Sequence, residues 1–320
     1  SPFGEGGGRE GSGSAIPWAI SSEIETAYGP VKAGTGLDPE TDKRIVRING
    51  ETARGQTALA EYLSVVWLTP QMDRLFLDSS GTRRRFLDRL VFTFDPGHTG
   101  RVTRYENALS QRSKLLREGR ADPAWLSALE AQMAETGIAI TAARLDYLRR
   151  LQQAGDAAIE TETAHFPRAV FALEGALENA LQNRPALETE EFFLNSLTES
   201  RERDSALGGA AAGPHRSDLR VSYAAKNMAA DQCSTGEQKA LLIGIIIAHA
   251  RLLAAEHGAA PVLLLDEVAA HLDDSRRAAL YDIIMGFNSQ VWMTGTDAAL
   301  FDHLKDTALF WQVEDGKLIS

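Results

Sequence analysis

Residues 261–267 read Pro-Val-Leu-Leu-Leu-Asp-Glu, a short apolar run that ends in two adjacent carboxylates. No other stretch narrows the possible folds as far. Such a run predicts a strand buried on both faces, as in a parallel sheet covered by helices. Open α/β sheets place their ligands at the carboxyl ends of such strands. Of two acids at that edge, one can hold Mg2+ and the next can orient a water, as phosphoryl transfer from ATP requires. The expected roles are Asp266 as the Mg2+ partner and Glu267 as the base. Asp273, a few residues on, either lies near the nucleotide or caps the next helix.

A second motif stands upstream. Ser234-Thr235-Gly236-Glu237-Gln238 opens a long apolar segment. Ser234 and Glu237 have the spacing of a capping box, which explains those two residues without any ligand. It does not explain Gly236, a poor helix residue even in a first turn. Glycine there suits a close approach of something to the backbone, and exposed N–H groups at a helix start suit a phosphate. Together the two motifs predict an ATPase of the ABC type. Residues Ser234, Thr235, Gly236, Glu237 and Gln238 of one copy would then meet the nucleotide held by the other.

Composition sets the frame for this reading. The chain has 320 residues, with 44% hydrophobic and 24% charged, which are proportions of a globular protein with a sizeable core. The net charge of −11 argues against a generally basic coat. One cysteine, Cys233, excludes an internal disulfide framework and fits a reducing cytoplasm. The longest apolar stretch, Ala240–Ala248, stops at His249 and Arg251 and predicts no membrane span.

The pattern changes along the chain. Ser1–Ser14 is rich in glycine and serine. Strands are expected at Trp18–Ala27, at Arg44–Gly50 with a turn at Asn49-Gly50, and at Ser64–Thr69. From Thr82 to about Gln182 apolar residues recur at helical steps, and Asn183–Gly213 reads as a polar return. A strand at Leu219–Tyr223 comes next. Then follow a helix at Thr235–Glu256, a strand at Val262–Asp266, a helix at Asp274–Phe287, a strand at Gln290–Thr294, a short helix near Ala298–Leu304 and a strand at Ala308–Val313. This alternation is α/β. The expected division is a β-rich part of a head (1–74), an inserted helical arm (75–205) and the rest of the head (206–320).

Other candidates are weaker in isolation. Gln71 follows a strand and could meet Mg2+ or water, although a lone loop glutamine is usually solvated. His215 and Arg216, in Gly213–Leu219, could serve the nucleotide or a dimer interface, or simply occupy a turn. Residues 83–120 hold ten lysines and arginines against four acids. Local base on an acidic background is the footprint of a phosphate backbone; a solvated or internally paired helix face reads the same way. The candidates for DNA are Arg83, Arg84, Arg85, Arg101, Arg104, Arg112 and Lys114. The remaining histidines lack metal-ligand spacing.

The chain resembles the RecF family, bacterial recombination-mediator ATPases related to the SMC proteins. The resemblance rests on Ser79-Ser80-Gly81-Thr82-Arg83-Arg84-Arg85-Phe86-Leu87-Asp88, Arg104–Leu109, Gly213–Leu219, Cys233–Ala240 and Leu263–Asp273. It implies an ABC-ATPase head with an inserted helical arm, and a weak ATPase that forms an ATP-dependent homodimer. It also implies binding to double-stranded DNA and to single-strand/duplex junctions, and loading of RecA with RecO and RecR. Ser217 departs from the acid more often found beside Asp218. No Gly-Lys-[Ser/Thr] phosphate loop occurs in the sequence, so the loop is expected in a segment before Ser1. The alternative is a non-enzymatic adaptor that keeps the fold without binding nucleotide. Met293–Asp297 stands where many ABC ATPases carry a switch histidine, so Thr294 or Thr296 would have to act as the γ-phosphate sensor.

Overall fold

The computed structural model describes residues 18–319 apart from 27–28, 39–40, 42, 54, 120–121 and 162–164. The glycine-rich start and Arg120 therefore lie outside the described residues. Two compact units divide after Leu63, and each is described by itself.

The first unit is an antiparallel meander of β1 (Ala19–Thr26), β2 (Gly29–Leu37), β3 (Arg44–Ile48) and β4 (Glu51–Thr52), paired in that order. Asn49 and Gly50 both take positive φ (51° and 88°) and make the expected tight turn between β3 and β4. Strand β2 went unread in the sequence. Its Gly36 lies against β1 so closely that a Cβ would sit 2.6 Å from the Trp18 carbonyl oxygen.

The second unit begins with β5 (Val65–Leu68), a 3-10 turn at Pro70–Arg74, and α1 (Ser80–Phe92). Ser79 caps α1 by accepting the Thr82 N–H. Helices α2 (His98–Glu118) and α3 (Pro123–Thr161) follow. After them come β6 (Ala169–Glu174), α4 (Ala176–Asn183), α5 (Ala186–Glu199), α6 (Arg201–Leu207), β7 (Asp218–Tyr223) and β8 (Met228–Ala229). The chain ends with α7 (Thr235–His257), β9 (Val262–Asp266), α8 (Asp274–Gly286), β10 (Val291–Thr294), a 3-10 helix at Ala298–Leu304, and the hairpin of β11 (Gln312–Glu314) and β12 (Lys317–Ile319). The expected strand at Ala308–Val313 is shorter than read and pairs only within that hairpin.

Strands β10, β9 and β5 form a parallel sheet in that order. Helix α7 lies beneath it: Ile243, Ile246 and Ala250 are buried in one core with Leu68, Leu263, Leu265 and, from α8, Leu280. Each fully buried leucine contributes roughly 2 kcal/mol. By length and composition α7 could cross a membrane, but most of it is packed inside this core.

The expectation that β9 is buried on both faces is corrected. Leu264 is 41% exposed, as are its neighbours across the sheet, Trp67 at 37% and Trp292 at 49%. Among the described residues the helical layer covers one face, so the side chains alternate between core and surface. Trp292 stacks on Trp311 with ring centroids 5.8 Å apart.

A second core lies in the arm. Tyr105 and Ala108 of α2 pack with Met133 and Ile138 of α3, Leu177 of α4, and Phe193 and Leu197 of α5. Helix α1 and the last turns of α3 instead join the core under the sheet, through Leu87, Leu90, Tyr147 and Leu151. The division after Leu63 falls just before β5, which pairs with β9.

Candidate functional site

The parallel register brings three strand ends to one edge. Leu68 stands opposite Leu265, and Asp266 opposite Thr294. Gln71 follows β5 in an exposed 3-10 turn, and Glu267 follows β9. Gln71, Asp266, Glu267 and Thr294, drawn from three well-separated stretches of the sequence, therefore share one edge.

Glu267 has left-handed backbone angles, φ 51° and ψ 27°, which an L-residue adopts only against a steric cost. Hydrogen bonds hold both of its peptide groups. Its N–H donates to the Thr294 hydroxyl oxygen at 3.1 Å. Its carbonyl oxygen accepts from the ammonium of Lys239 at 3.2 Å. The Thr294 hydroxyl in turn donates to Asp266 Oδ1 at 2.5 Å. Thr294 thus spends its single hydroxyl hydrogen on Asp266.

Asp266 is exposed at the strand end. No group of three or more acids, histidines or cysteines capable of holding a metal occurs among the described residues. A nucleotide-borne Mg2+ needs no such cage, since it takes one or two carboxylates and completes its shell with phosphate and water. One exposed carboxylate beside an open sheet edge fits that demand.

Helix α7 opens with the capping box that the sequence allowed. Ser234 Oγ accepts the Glu237 N–H, and Glu237 Oε2 accepts the Ser234 N–H at 3.0 Å. Lys226 forms an ion pair with Glu237. That contact, with the two Ser234 hydrogen bonds, draws the Glu237 carboxyl down to about 2. Ser234 and Thr235 are exposed. Among the described residues outside its own helix backbone, a Cβ at Gly236 would meet nothing within 4 Å, so their packing does not require glycine there.

Several expected site residues are engaged elsewhere. Gln238 is corrected as a nucleotide contact: it is 4% exposed and donates to the Cys233 carbonyl at 2.9 Å, locking the turn before α7. Asp273 serves as the N-cap of α8, accepting the Arg276 N–H at 2.9 Å.

Arg112 is corrected as a DNA contact. It is fully buried, donating to Glu130 and Asp204 at 2.9 Å each and to the Leu197 carbonyl. Arg83 is likewise withdrawn, in a two-pronged pair with Asp218 at 2.7 and 2.9 Å. Arg84 donates to the Ser217 carbonyl at 2.6 Å, and Arg101 pairs with Asp95. Arg85, Arg104 and Lys114 remain exposed.

The turn at Gly213–Leu219 is a structural hub. Besides Arg83 and Arg84, it receives Arg144, whose guanidinium donates to the Pro214 carbonyl and grips both oxygens of Asp88. His215 Nε2 lies 3.0 Å from the Ala210 carbonyl, which can only accept, so Nδ1 must accept the Tyr105 hydroxyl at 2.7 Å. Burial pushes the imidazole down to about 4, keeping it neutral. A nucleotide role for His215 therefore has no free ring nitrogen to work with.

One member of the site went unread. Lys239 is 5% exposed and lies beneath Glu267, with Asp73 Oδ2 at 3.4 Å. Its signal was present: a lysine beside Ala240, Leu241 and Leu242, all fully buried, is out of place unless its charge has a partner.

Comparison with known proteins gives the same assignment. No family model matches the chain. The "DNA replication and repair protein RecF" of Rhizobium johnstonii is 47% identical over 309 residues, covering 96% of this chain and 82% of its own length. The chain belongs to the RecF family. The RecF of Agrobacterium fabrum is 48% identical over 309 residues, covering 94% of the chain and 80% of its own. Among solved structures, a recombination mediator protein RecF in complex with ATPrS superposes with a TM-score of 0.79 at 20% identity, over 94% of this chain and 80% of that one. The family fold is the expected one, an ABC-ATPase-like α/β head with an inserted helical arm.

Proposed function

We propose that the chain is an ATP-gated DNA clamp of recombinational repair and replication restart, acting in the cytoplasm. The observation that carries this reading is the shared edge of Gln71, Asp266 and Glu267, with the Glu267 backbone held by Lys239 of α7. Relatives at nearly half identity bear the name of a DNA replication and repair protein, and the superposed RecF structures are described with ATP and ATPrS in the RecFOR pathway.

In this reading Asp266 holds Mg2+ through the nucleotide, and Glu267 orients the attacking water. When bound, the metal neutralises charge on the phosphates. Thr294 fixes the direction of both acids rather than sensing phosphate. Gln71, exposed after β5, reaches toward the nucleotide. A second copy presents Ser234, Thr235 and Gly236, whose exposed turn suits a phosphate. ATP then belongs to the interface, so its binding appears as dimer stability.

Duplex DNA and single-strand/duplex junctions are held through phosphates with little sequence choice. Arg85, Arg104 and Lys114 are the arm groups left to contact them. RecO and RecR are the proposed partners in loading RecA.

Glu267→Gln tests the chemistry, in the full-length protein. Turnover is expected to fall at least about 100-fold, with ATP-dependent self-association retained. A normal turnover rate would remove Glu267 from the base role. A full-length protein that binds no ATP would favour the adaptor reading.

A further inference from the structure

Lys239 ties together three elements that the sequence places far apart. It belongs to the first turns of α7, three residues past Gly236. Its ammonium donates to the Glu267 carbonyl at 3.2 Å and lies 3.4 Å from Asp73 Oδ2. Asp73 stands two residues past Gln71 in the same 3-10 turn.

A buried ammonium disfavours folding unless it is paired. The neighbouring positions 240, 241 and 242 are wholly buried apolar residues, and an apolar side chain at 239 would avoid that cost. The charge therefore has to do something that a methyl group cannot. Its most specific contact is with the carbonyl of a residue in the left-handed region. Thr294 holds the N–H side of the same residue. With both peptide groups fixed by side chains from different elements, the Glu267 backbone, from which its side chain departs, is held in place beside Asp266.

We propose that Lys239 is a positioning residue for the reaction at Glu267. Its ammonium holds the Glu267 peptide from below and, through Asp73, links it to the turn bearing Gln71 and to the turn that opens α7. Displacement of the α7 opening would thereby be felt at the base. This inference rests on the ATPase reading above.

The test uses the full-length protein and measures kcat, KM, ATP-dependent self-association and the thermal midpoint together. Lys239→Met is expected to lower kcat by about 10- to 100-fold, because a base misplaced by about 1 Å loses that much. KM for ATP should stay within about threefold, and ATP-driven dimers should persist. Lys239→Gln, which keeps a donor, should recover part of kcat; it also serves as the test if Lys239→Met fails to fold.

Two results would overturn the proposal. One is a kcat within about twofold of wild type for folded Lys239→Gln and Lys239→Met, while Glu267→Gln is inactive. The other is a fall in kcat matched by equal losses in ATP affinity and thermal midpoint, which would make Lys239 structural only. If Glu267→Gln itself turned over normally, the base assignment of Glu267 on which this inference rests would fail instead.

Discussion

The molecule carries two clusters of opposed charge that look alike in sequence and differ in how their charges are used. In the arm, Arg112 joins Glu130 and Asp204, and Arg201 closes on Glu130. Arg112, Glu130 and Asp204 are buried with at most 1% exposure, and their charges are directed at one another. At the sheet edge, Lys239 is buried too, but Asp266 is exposed and Glu267 half-buried. There the polar groups hold a costly backbone turn and leave carboxylates facing outward. A closed cluster fixes a fold, whereas an open one that spends hydrogen bonds on strain is prepared for a ligand. The basic stretch 83–120 divides along the same line, with Arg83 and Arg112 turned inward and Arg85, Arg104 and Lys114 left at the surface.

The sharpest way to break this contrast is Arg112→Met. It strands Glu130 and Asp204 in the interior, and stability should fall by about 3–5 kcal/mol. Urea unfolding measures the loss. DNA affinity of the folded fraction should not change; a selective loss of DNA binding with normal stability would return Arg112 to the interface.

Acidification should act next, and on the closed class. His249 is held neutral by burial, down to about 3, and its Nδ1 shares a 2.9 Å hydrogen bond with the Tyr147 hydroxyl; His215 lies at about 4. Their ordinary value is 6.5, so the unfolded chain takes up protons first as the pH drops. The stability gained from the neutral rings is therefore full above pH 6.5 and is lost progressively below it, by up to about 1.4 kcal/mol per pH unit for each ring. Urea midpoints between pH 7.5 and 5 check the sign. A midpoint that rises on acidification would contradict the burial argument.

The smallest expected effect concerns the open charges. Reversal of Arg85, Arg104 and Lys114 should leave the unfolding midpoint nearly unchanged. It should also flatten the dependence of DNA affinity on salt, by up to about 0.9 in log–log slope for each phosphate that is no longer neutralised. An unaltered slope would place the DNA elsewhere on the molecule.

Much of the fold could be read from local pattern. The α7–β9–α8–β10 alternation and the turn at Asn49-Gly50 follow from apolar period and turn chemistry. Elements defined by distant partners were not legible. Strand β6 sits in a helical run and pairs with β7 about 50 residues later. Helix α5 buries only Thr189, Phe193 and Leu197, a stripe too narrow to mark a polar segment as helical.

At the site, the paired acids and Gly236 could be named from sequence. The burial of Gln238 and the pairing of Arg83 with Asp218 could not, because each depends on a three-dimensional neighbour. The Gly213–Leu219 turn, which the sequence left open between a nucleotide or dimer role and a plain turn, receives Arg83 and Arg84 of α1 and Arg144 of α3.

The central claim is that the α7 opening of one copy meets the nucleotide at the Asp266–Glu267 edge of another. Sedimentation of the full-length protein with and without ATP, for wild type and Gly236→Glu, tests it most directly. Among the described residues, nothing beyond the glycine's own chain neighbours and helix backbone lies within 4 Å of the position a Cβ would take at Gly236, so the substitution should spare the fold and the monomer's ATP binding. The account predicts that ATP-driven dimers vanish. Dimers that form as strongly as in wild type would contradict it.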